Sequence, residues 1–512
     1  MNHALCNTCQ KLVDARVEQR GDKVFLAKDC PDCGATETLI SGDARRYFDK
    51  RELDAGCEGQ VCKLNCTVCR HKQHPTLIFI DITNRCNLNC PICINNTPAM
   101  GYVFEPPLEY CQRIFDHFAT YDPRPAIQLF GGEPTVHSEL FEIIRMCKEA
   151  GLAPRVVTNG IKLADPDYCR RLVETRATIL ISYDGRNRAL YRKVRNSEEA
   201  LDKKLQAIEN LRAIGGAKVT FMTLVARGWN DAELPEIFQF AHECRNVVRA
   251  IYLMPLAHTW DDATFDLAAD RITTEDVENM VDDAFPEDRV DFMPASFLGS
   301  LQAMLACLGV KPLPFVGAHP NCESMYILLS DGERYLAWGR YLKTSTKECC
   351  LALQEVDRKL EKRMPPEGTK PGFWLRLRAM AMVLGVLRRH VHLSALVKGK
   401  GFLGKLYHFA AAAAGFALRR KSRRIFERHT NVQTALQIII LPFEDNYNLE
   451  TDRLQRCPAA FAYVDPETDA VRYVPICSWG LHKDAVMRAI AARYAAEADK
   501  AADSPAAASA GS

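Results

Sequence analysis

Leu77-Ile-Phe-Ile-Asp-Ile-Thr-Asn-Arg-Cys-Asn-Leu-Asn-Cys-Pro-Ile-Cys93 begins as an apolar, β-branched run and ends in three cysteines spaced C-x3-C-x2-C. The run predicts a buried strand, and the cysteines fall in the loop that leaves it. Three thiolates suit a four-iron, four-sulfur cluster with one iron left without a protein ligand. Such an iron binds and splits a small molecule, whereas a fully ligated cluster only carries electrons. Cys86, Cys90 and Cys93 are therefore the candidate catalytic and metal-binding cysteines. Further along, a second apolar run at 126–130 ends in Gly131-Gly132-Glu133-Pro134, a turn whose glycines let backbone approach a ligand closely. Glu133 adds a carboxylate suited to an ammonium group. A zinc site or plain buried thiols are the bland readings of three cysteines, and strand, spacing and glycine turn together weigh against them.

Strand, cysteine loop and Gly-Gly-Glu-Pro, in this order, resemble the radical S-adenosylmethionine (SAM) superfamily. The resemblance implies that Cys86, Cys90 and Cys93 ligate the cluster and that its open iron chelates the amino and carboxylate groups of SAM. Gly131, Gly132, Glu133 and Pro134 would border the methionine amino group. Asn159 and Ser182 would make polar contacts to SAM, with Leu253 and Met254 beside its adenine. Reduction of the bound sulfonium would give a 5'-deoxyadenosyl radical that takes hydrogen from unactivated carbon, while the protein orients the reactants and excludes water. A low-potential electron donor of the flavodoxin or ferredoxin type is implied as partner.

Further strand-like runs end at Gly160, Asp184, Val225 and Pro255, with helical stretches at 138–150, 197–214 and 234–244 between them. The alternation predicts an α/β fold, which the resemblance makes a partial, TIM-like (βα)6 barrel over 76–290. A Cys-rich metal-binding domain would precede it at 1–75. An α+β C-terminal domain would follow at 291–494. The small, polar end of the chain, 495–512, predicts a disordered tail.

A chain of 512 residues is long enough for two to four domains, and its net charge of +2 speaks against nucleic acid as partner. Twenty-one cysteines without a signal peptide predict a reducing compartment, the cytoplasm, and metal sites rather than disulfides. Cys6 and Cys9 pair with Cys30 and Cys33 as two C-x2-C knuckles, a tetrahedral site for zinc or a rubredoxin-like mononuclear iron. Cys62, Cys66 and Cys69 repeat the C-x3-C-x2-C spacing without a preceding apolar strand. They read as an auxiliary 4Fe-4S cluster with Cys57, or else His71 or His74, as fourth ligand; zinc is the alternative. Cys322, Cys457 and Cys477, with Cys307, Cys349 and Cys350 near in sequence, offer either a second auxiliary cluster or simple small core residues. Cys111, Cys147, Cys169 and Cys244 lie in barrel helices and read as packing thiols.

The order of knuckles, auxiliary triplet, barrel, His319-Pro-Asn-Cys322 and a C-terminal block with Arg456-Cys457 and Val474-Pro-Ile-Cys477 resembles the archaeal tetraether lipid synthases and their bacterial homologues. That subgroup implies hydrogen abstraction from a lipid alkyl chain and carbon–carbon bond formation, with auxiliary clusters delivering electrons or holding the first radical. Thr76-Leu77 stands where those relatives would carry a further cysteine. The subgroup's other chemistry, methylation of a pterin-like ring by radical SAM transfer, is the enzymatic alternative. A non-catalytic iron-sulfur or zinc scaffold is the alternative of another class. Independently, the segment 372–426 carries twelve Lys or Arg and no acid, interleaved with Phe373, Trp374, Leu375, Met380, Phe402, Leu403, Leu406, Tyr407 and Phe409. Such helices either contact anionic lipid peripherally at the inner membrane face or pack over the barrel mouth with a solvated basic edge.

Overall fold

The computed structural model describes residues 2–54, 74–97, 100–259, 267–310, 318–366, 369–417 and 422–502. Cys57, Cys62, Cys66, Cys69 and His71 lie outside the described residues. His74 is exposed, its ring 4.5 Å from that of Tyr121.

Four N-terminal strands, β1 (Asn2–Leu5), β2 (Leu12–Arg20), β3 (Lys23–Cys30) and β4 (Gly34–Ser41), make an antiparallel meander in sequence order. Cys6 and Cys9 sit in the turn after β1, and Cys30 and Cys33 bound the turn after β3. A helix, Ala44–Glu52, then leads toward the larger unit, capped by the Asp43 side chain on the Arg46 N–H. Its Lys50 is buried with Nζ 2.6 Å from both Glu275 and Glu278, while Arg46 reaches Asp282 at 2.7 Å. Burial pushes the Lys50 ammonium toward neutrality, and the two carboxylates outweigh it, holding it charged above its ordinary pKa.

Six strands follow, each leading to helices: β5 (Leu77–Thr83), β6 (Ala126–Gly131), β7 (Ala153–Thr158), β8 (Thr178–Ser182), β9 (Lys218–Val225) and β10 (Val248–Pro255). They pair in parallel, neighbour to neighbour, in the order they occur. All seven residues of β5 are buried, as expected of a parallel strand covered on both faces. One face packs against the helices through Ile78, Ile80, Leu129, Val156, Ile179, Ile181, Phe221 and Ile251. The other lines an interior cavity with Phe79, Gln128, Phe130, Arg155, Val157, Ser182, Met222, Tyr252 and Met254. The expected (βα)6 barrel with its N-terminal metal domain is the observed architecture.

The boundary placed at 290 does not separate two sheets. After β11 (Met293–Pro294), β12 (Ser324–Ser330) and β13 (Tyr335–Ala337), β14 (Thr434–Ile440) pairs in parallel with β10. At the opposite edge β15 (Ala459–Val464) pairs in parallel with β5, and β16 (Val471–Pro475) closes on it antiparallel. An open parallel sheet leaves two edges of unpaired N–H and C=O groups, and these apolar C-terminal strands cover both. The helices Thr346–Glu361 and Phe373–His390 pack instead into a separate apolar cluster with Leu53, Phe297, Leu301, Cys307 and Cys350. Those two cysteines are core residues there, and Cys349 is buried too. Cys111, Cys147, Cys169 and Cys244 are buried thiols of the barrel core.

The last helix runs Trp479–Ala502, past the tail boundary expected at 495. Alanines at 495, 496, 501 and 502 sustain a helix as readily as they fill a tail. Among the described residues no helix is long and apolar enough to cross a membrane.

Candidate active site at the strand ends

The cysteine loop hangs from the end of β5 on local anchors. Asn84 Nδ2 donates to Tyr102 O at 2.7 Å and its Oδ1 accepts from Phe104 N at 2.8 Å. Thr83 and Arg85 both donate to Glu105, at 2.7 and 2.6 Å. The glycine turn lies directly against this loop: Gly132 N donates to Thr83 O at 2.7 Å and Glu133 N to Arg85 O at 2.8 Å. A Cβ at Gly131 would stand 2.1 Å from Thr83 O, and one at Gly132 2.2 Å from Arg85 O. Gly131 also has φ +132°, so both glycines are required by close backbone approach.

Glu133 is buried, and its carboxylate accepts from Thr135 N (3.0 Å), Thr135 Oγ1 (2.6 Å), Thr158 Oγ1 (2.7 Å) and Asn159 N (2.6 Å). Three of these donors go to Oε1 and one to Oε2. The carboxylate thus ties the ends of β6 and β7 together while lining the cavity. Asn159 is positioned by this contact, its Nδ2 3.9 Å from Cys86 Sγ and 2.7 Å from Asn87 Oδ1. Pro134 is buried at the start of a short 3-10 turn, off the cavity wall that Gly131, Gly132 and Glu133 line.

Cys86, Cys90 and Cys93 are half-buried and line one cavity with Gly131, Gly132, Asn159, Ser182 and Met254. Leu253, like Pro134, is an exception among the expected contacts. Side chains alternate along a strand, so with Tyr252 and Met254 facing inward Leu253 faces the helices, fully buried. Burial pushes the Cys86 thiol up to about 12, so the free thiol stays protonated until a cation replaces the proton. Leu88 N donates to Cys86 Sγ at 3.4 Å.

Two buried cations behind this loop escaped the sequence reading. Lys204 Nζ donates to Asn159 O at 2.7 Å and Ser182 O at 2.8 Å, and also to the Ser182 hydroxyl. Burial and then the neighbouring Arg195 lower it to about 8. Arg195 lines the cavity and pairs with fully buried Asp184 at 2.7 Å. Lys204 sits on the apolar stripe Leu201, Lys204, Ile208, Leu211 of its helix, and a lysine in that row was the available signal. Two cations beside the sulfur donors favour an anionic group held there, and a thiolate-ligated cluster fits that demand.

Across the cavity, Cys322, Cys457 and Cys477 line the facing wall. Burial raises all three thiols, Cys322 to about 11 and Cys457 to about 12, and Arg453, paired with Glu444 at 3.1 Å, lowers Cys322 in part. Beside them Glu323 is pushed up to about 8 by burial. The inner lobe measures about 260 Å³, and an outer lobe of about 790 Å³ shares Phe79, Phe130, Ile476 and Cys477 with it.

The N-terminal four are built differently. The sulfurs of Cys6, Cys9, Cys30 and Cys33 lie within 4.8 Å of one another, the spacing of ligands around a single ion. Backbone N–H groups of Cys9 and Thr8 lower Cys6 to about 6, while the adjoining Cys9 thiol raises Cys33 to about 12. Among the described residues no other three such side chains come as close, so both cavity triplets stand wider apart than a single ion's ligands.

Residues 80–241 match the model of the radical SAM superfamily, a span running from β5 to the helix after β9 and containing the cysteine loop and the glycine turn. This span is a radical SAM core. Such a core implies SAM and a 4Fe-4S cluster as cofactors. Residues 2–42 match the HMPTM N-terminal zinc ribbon domain, which agrees with a metal site at the four N-terminal cysteines. The radical SAM chain is 29% identical over 504 residues to the 7,8-dihydro-6-hydroxymethylpterin dimethyltransferase of Methanocaldococcus jannaschii, covering 94% of each chain. It is 29% identical over 181 residues to the AdoMet-dependent heme synthase of Methanosarcina barkeri, covering 35% of this chain and 51% of that one. The solved structure of Streptococcus suis SuiB is 13% identical with a TM-score of 0.33, over 56% of this chain and 69% of that one. The relative spanning nearly the whole chain is named for pterin methylation, and the narrower resemblance to tetraether synthases gains nothing from it.

Proposed function

We propose that this radical SAM enzyme methylates a pterin-like ring held between its two cysteine triplets. The observation that carries the reading is the single cavity lined at once by Cys86, Cys90 and Cys93 on one wall and Cys322, Cys457 and Cys477 on the other. A substrate there has the SAM-splitting site on one side and a second thiol set on the other. The likeness over 94% of both chains to a pterin dimethyltransferase supports this substrate class. Bound SAM and its cluster supply the radical chemistry. The chain's own part is to hold and shield: Gly131, Gly132, Asn159 and Ser182 border the SAM position, and Phe79, Phe130, Met222 and Tyr252 wall the ring from water. Cys322, Cys457 and Cys477 are assigned to an auxiliary cluster, and Cys6, Cys9, Cys30 and Cys33 to zinc or iron.

Anaerobic enzyme given reductant, SAM and 6-hydroxymethyl-7,8-dihydropterin is expected to release S-adenosylhomocysteine together with 5'-deoxyadenosine and a methylated pterin. Deoxyadenosine alone, with the pterin unchanged, would reject this reading.

A second reading, a membrane-lipid alkyl chain as substrate, is favoured by one surface. Phe373 and Trp374 are 72% and 78% exposed, and Phe402 and Leu403 are 79% and 78% exposed on the helix Gly401–Ala417. Arg376, Arg378 and Lys405 share these helices; of the basic cluster at 419–424, residues 419–421 lie outside the described residues. Aromatic side chains and cations together suit an anionic headgroup layer, at roughly 1 kcal/mol per basic residue near the surface. Flotation with liposomes of anionic lipid is expected to weaken with salt and in the combined variant Phe373→Ser, Trp374→Ser, Phe402→Ser, Leu403→Ser. Equal flotation by variant and parent would remove the surface from consideration.

A further inference from the structure

Three polar side chains interrupt the apolar inner lobe, and each has an atom that no protein group satisfies. Gln128 on β6 is 3% exposed with Oε1 unpartnered, and Glu323, just before β12, is 6% exposed with Oε2 unpartnered. Arg155, the register neighbour of Gln128 on β7, turns one terminal N–H to Tyr252 Oη at 3.1 Å and leaves its buried Nε–H unpartnered. All three line the lobe that also carries the two cysteine triplets. An unmet buried donor or acceptor costs the desolvation of that group, so three facing one space are set for a ligand that meets them together. Two of the atoms accept and one donates.

We propose that Gln128, Arg155 and Glu323 form the subsite that reads the polar edge of the substrate ring, taking a heterocycle with two adjacent N–H donors followed by a carbonyl acceptor. The amino and ring N–H groups of a 2-amino-4-oxo pyrimidine edge match Glu323 and Gln128, and its carbonyl oxygen matches Arg155 Nε–H. An alkyl chain would leave all three unmet. This inference rests on the pterin reading and adds to it the residues that choose the ring.

The test uses the anaerobic, cluster-loaded full chain and two probes, 6-hydroxymethyl-7,8-dihydropterin and the same ring with oxygen in place of the 2-amino group. Parent enzyme should bind the amino ring more tightly than the oxo ring by about tenfold or more; Glu323→Gln should erase most of that ratio, and Gln128→Leu should weaken both rings alike by about tenfold. Iron content and unfolding temperature identify intact variants, and Gln128, remote in sequence from the cysteines, keeps the test decisive if the Glu323 change disturbs its neighbour Cys322. Parent binding with an undiminished ratio in intact Glu323→Gln and undiminished affinity in intact Gln128→Leu would overturn the subsite alone. No pterin binding by the parent would overturn the substrate reading, and the subsite with it.

Discussion

Alanine in place of Cys86, Cys90 or Cys93 is expected to lower reductive cleavage of SAM by about a thousandfold or more, roughly 4 kcal/mol at about 1.4 kcal/mol per tenfold. Three sulfurs are the whole protein ligand set proposed for the cluster, and among the described residues no fourth cysteine lines that wall of the cavity to take a vacated place. Release of 5'-deoxyadenosine measures the loss, and iron and sulfide analysis should show a matching deficit while metal at Cys6, Cys9, Cys30 and Cys33 is retained. Cleavage at the parental rate in Cys86→Ala would place the SAM site elsewhere.

Lys50→Met is expected to be the most destabilising single change outside the cavity, about 3–5 kcal/mol, the usual cost of removing one member of a buried ion pair. Lys50 Nζ is the charge that Glu275 and Glu278 share, and Ser324 Oγ adds contacts at 3.0 Å to Lys50 and 2.6 Å to Glu278. All four groups are buried, so methionine leaves two carboxylates in apolar surroundings with only Arg46, 3.9 Å from Glu278, as countercharge. Glu278 is already pushed above its ordinary value by burial, with Lys50 opposing the shift; removing Lys50 should make it take up a proton. Thermal unfolding measures the effect, and adding Glu275→Gln and Glu278→Gln to Lys50→Met should recover part of it by removing the uncompensated charges. An unchanged unfolding temperature in the single variant would show that this triad does not join the metal ribbon to the barrel.

The barrel was legible because its signals are local. β5 is one unbroken apolar run, and the two glycines of the turn mark a backbone approach that any side chain would block. The four N-terminal cysteines were legible for the same reason, since knuckle spacing fixes their neighbours. What stayed hidden depends on contacts distant in sequence. The edge strands β14 and β15 read as ordinary apolar runs, and nothing local says that one meets β10 and the other β5. Glu133 was read by its motif, whereas two of its four donors come from Thr158 and Asn159 at the end of the next strand. Leu253 was misassigned within its strand because one residue of phase reverses the face. Gln128, Arg155 and Glu323 carry no motif at all, and only the fold shows that they share one space.

The strand pairing also sets an order of manufacture. β5 leaves the ribosome early, yet its outer neighbour β15 ends at Val464, so one wall of the reaction chamber is absent during most of translation. The metal-binding loop after β5 is exposed throughout that interval, open to whatever delivers iron and sulfide. Once the carboxy-terminal strands dock, the same loop is walled in from both edges, and exchange of its contents then requires part of the finished sheet to open.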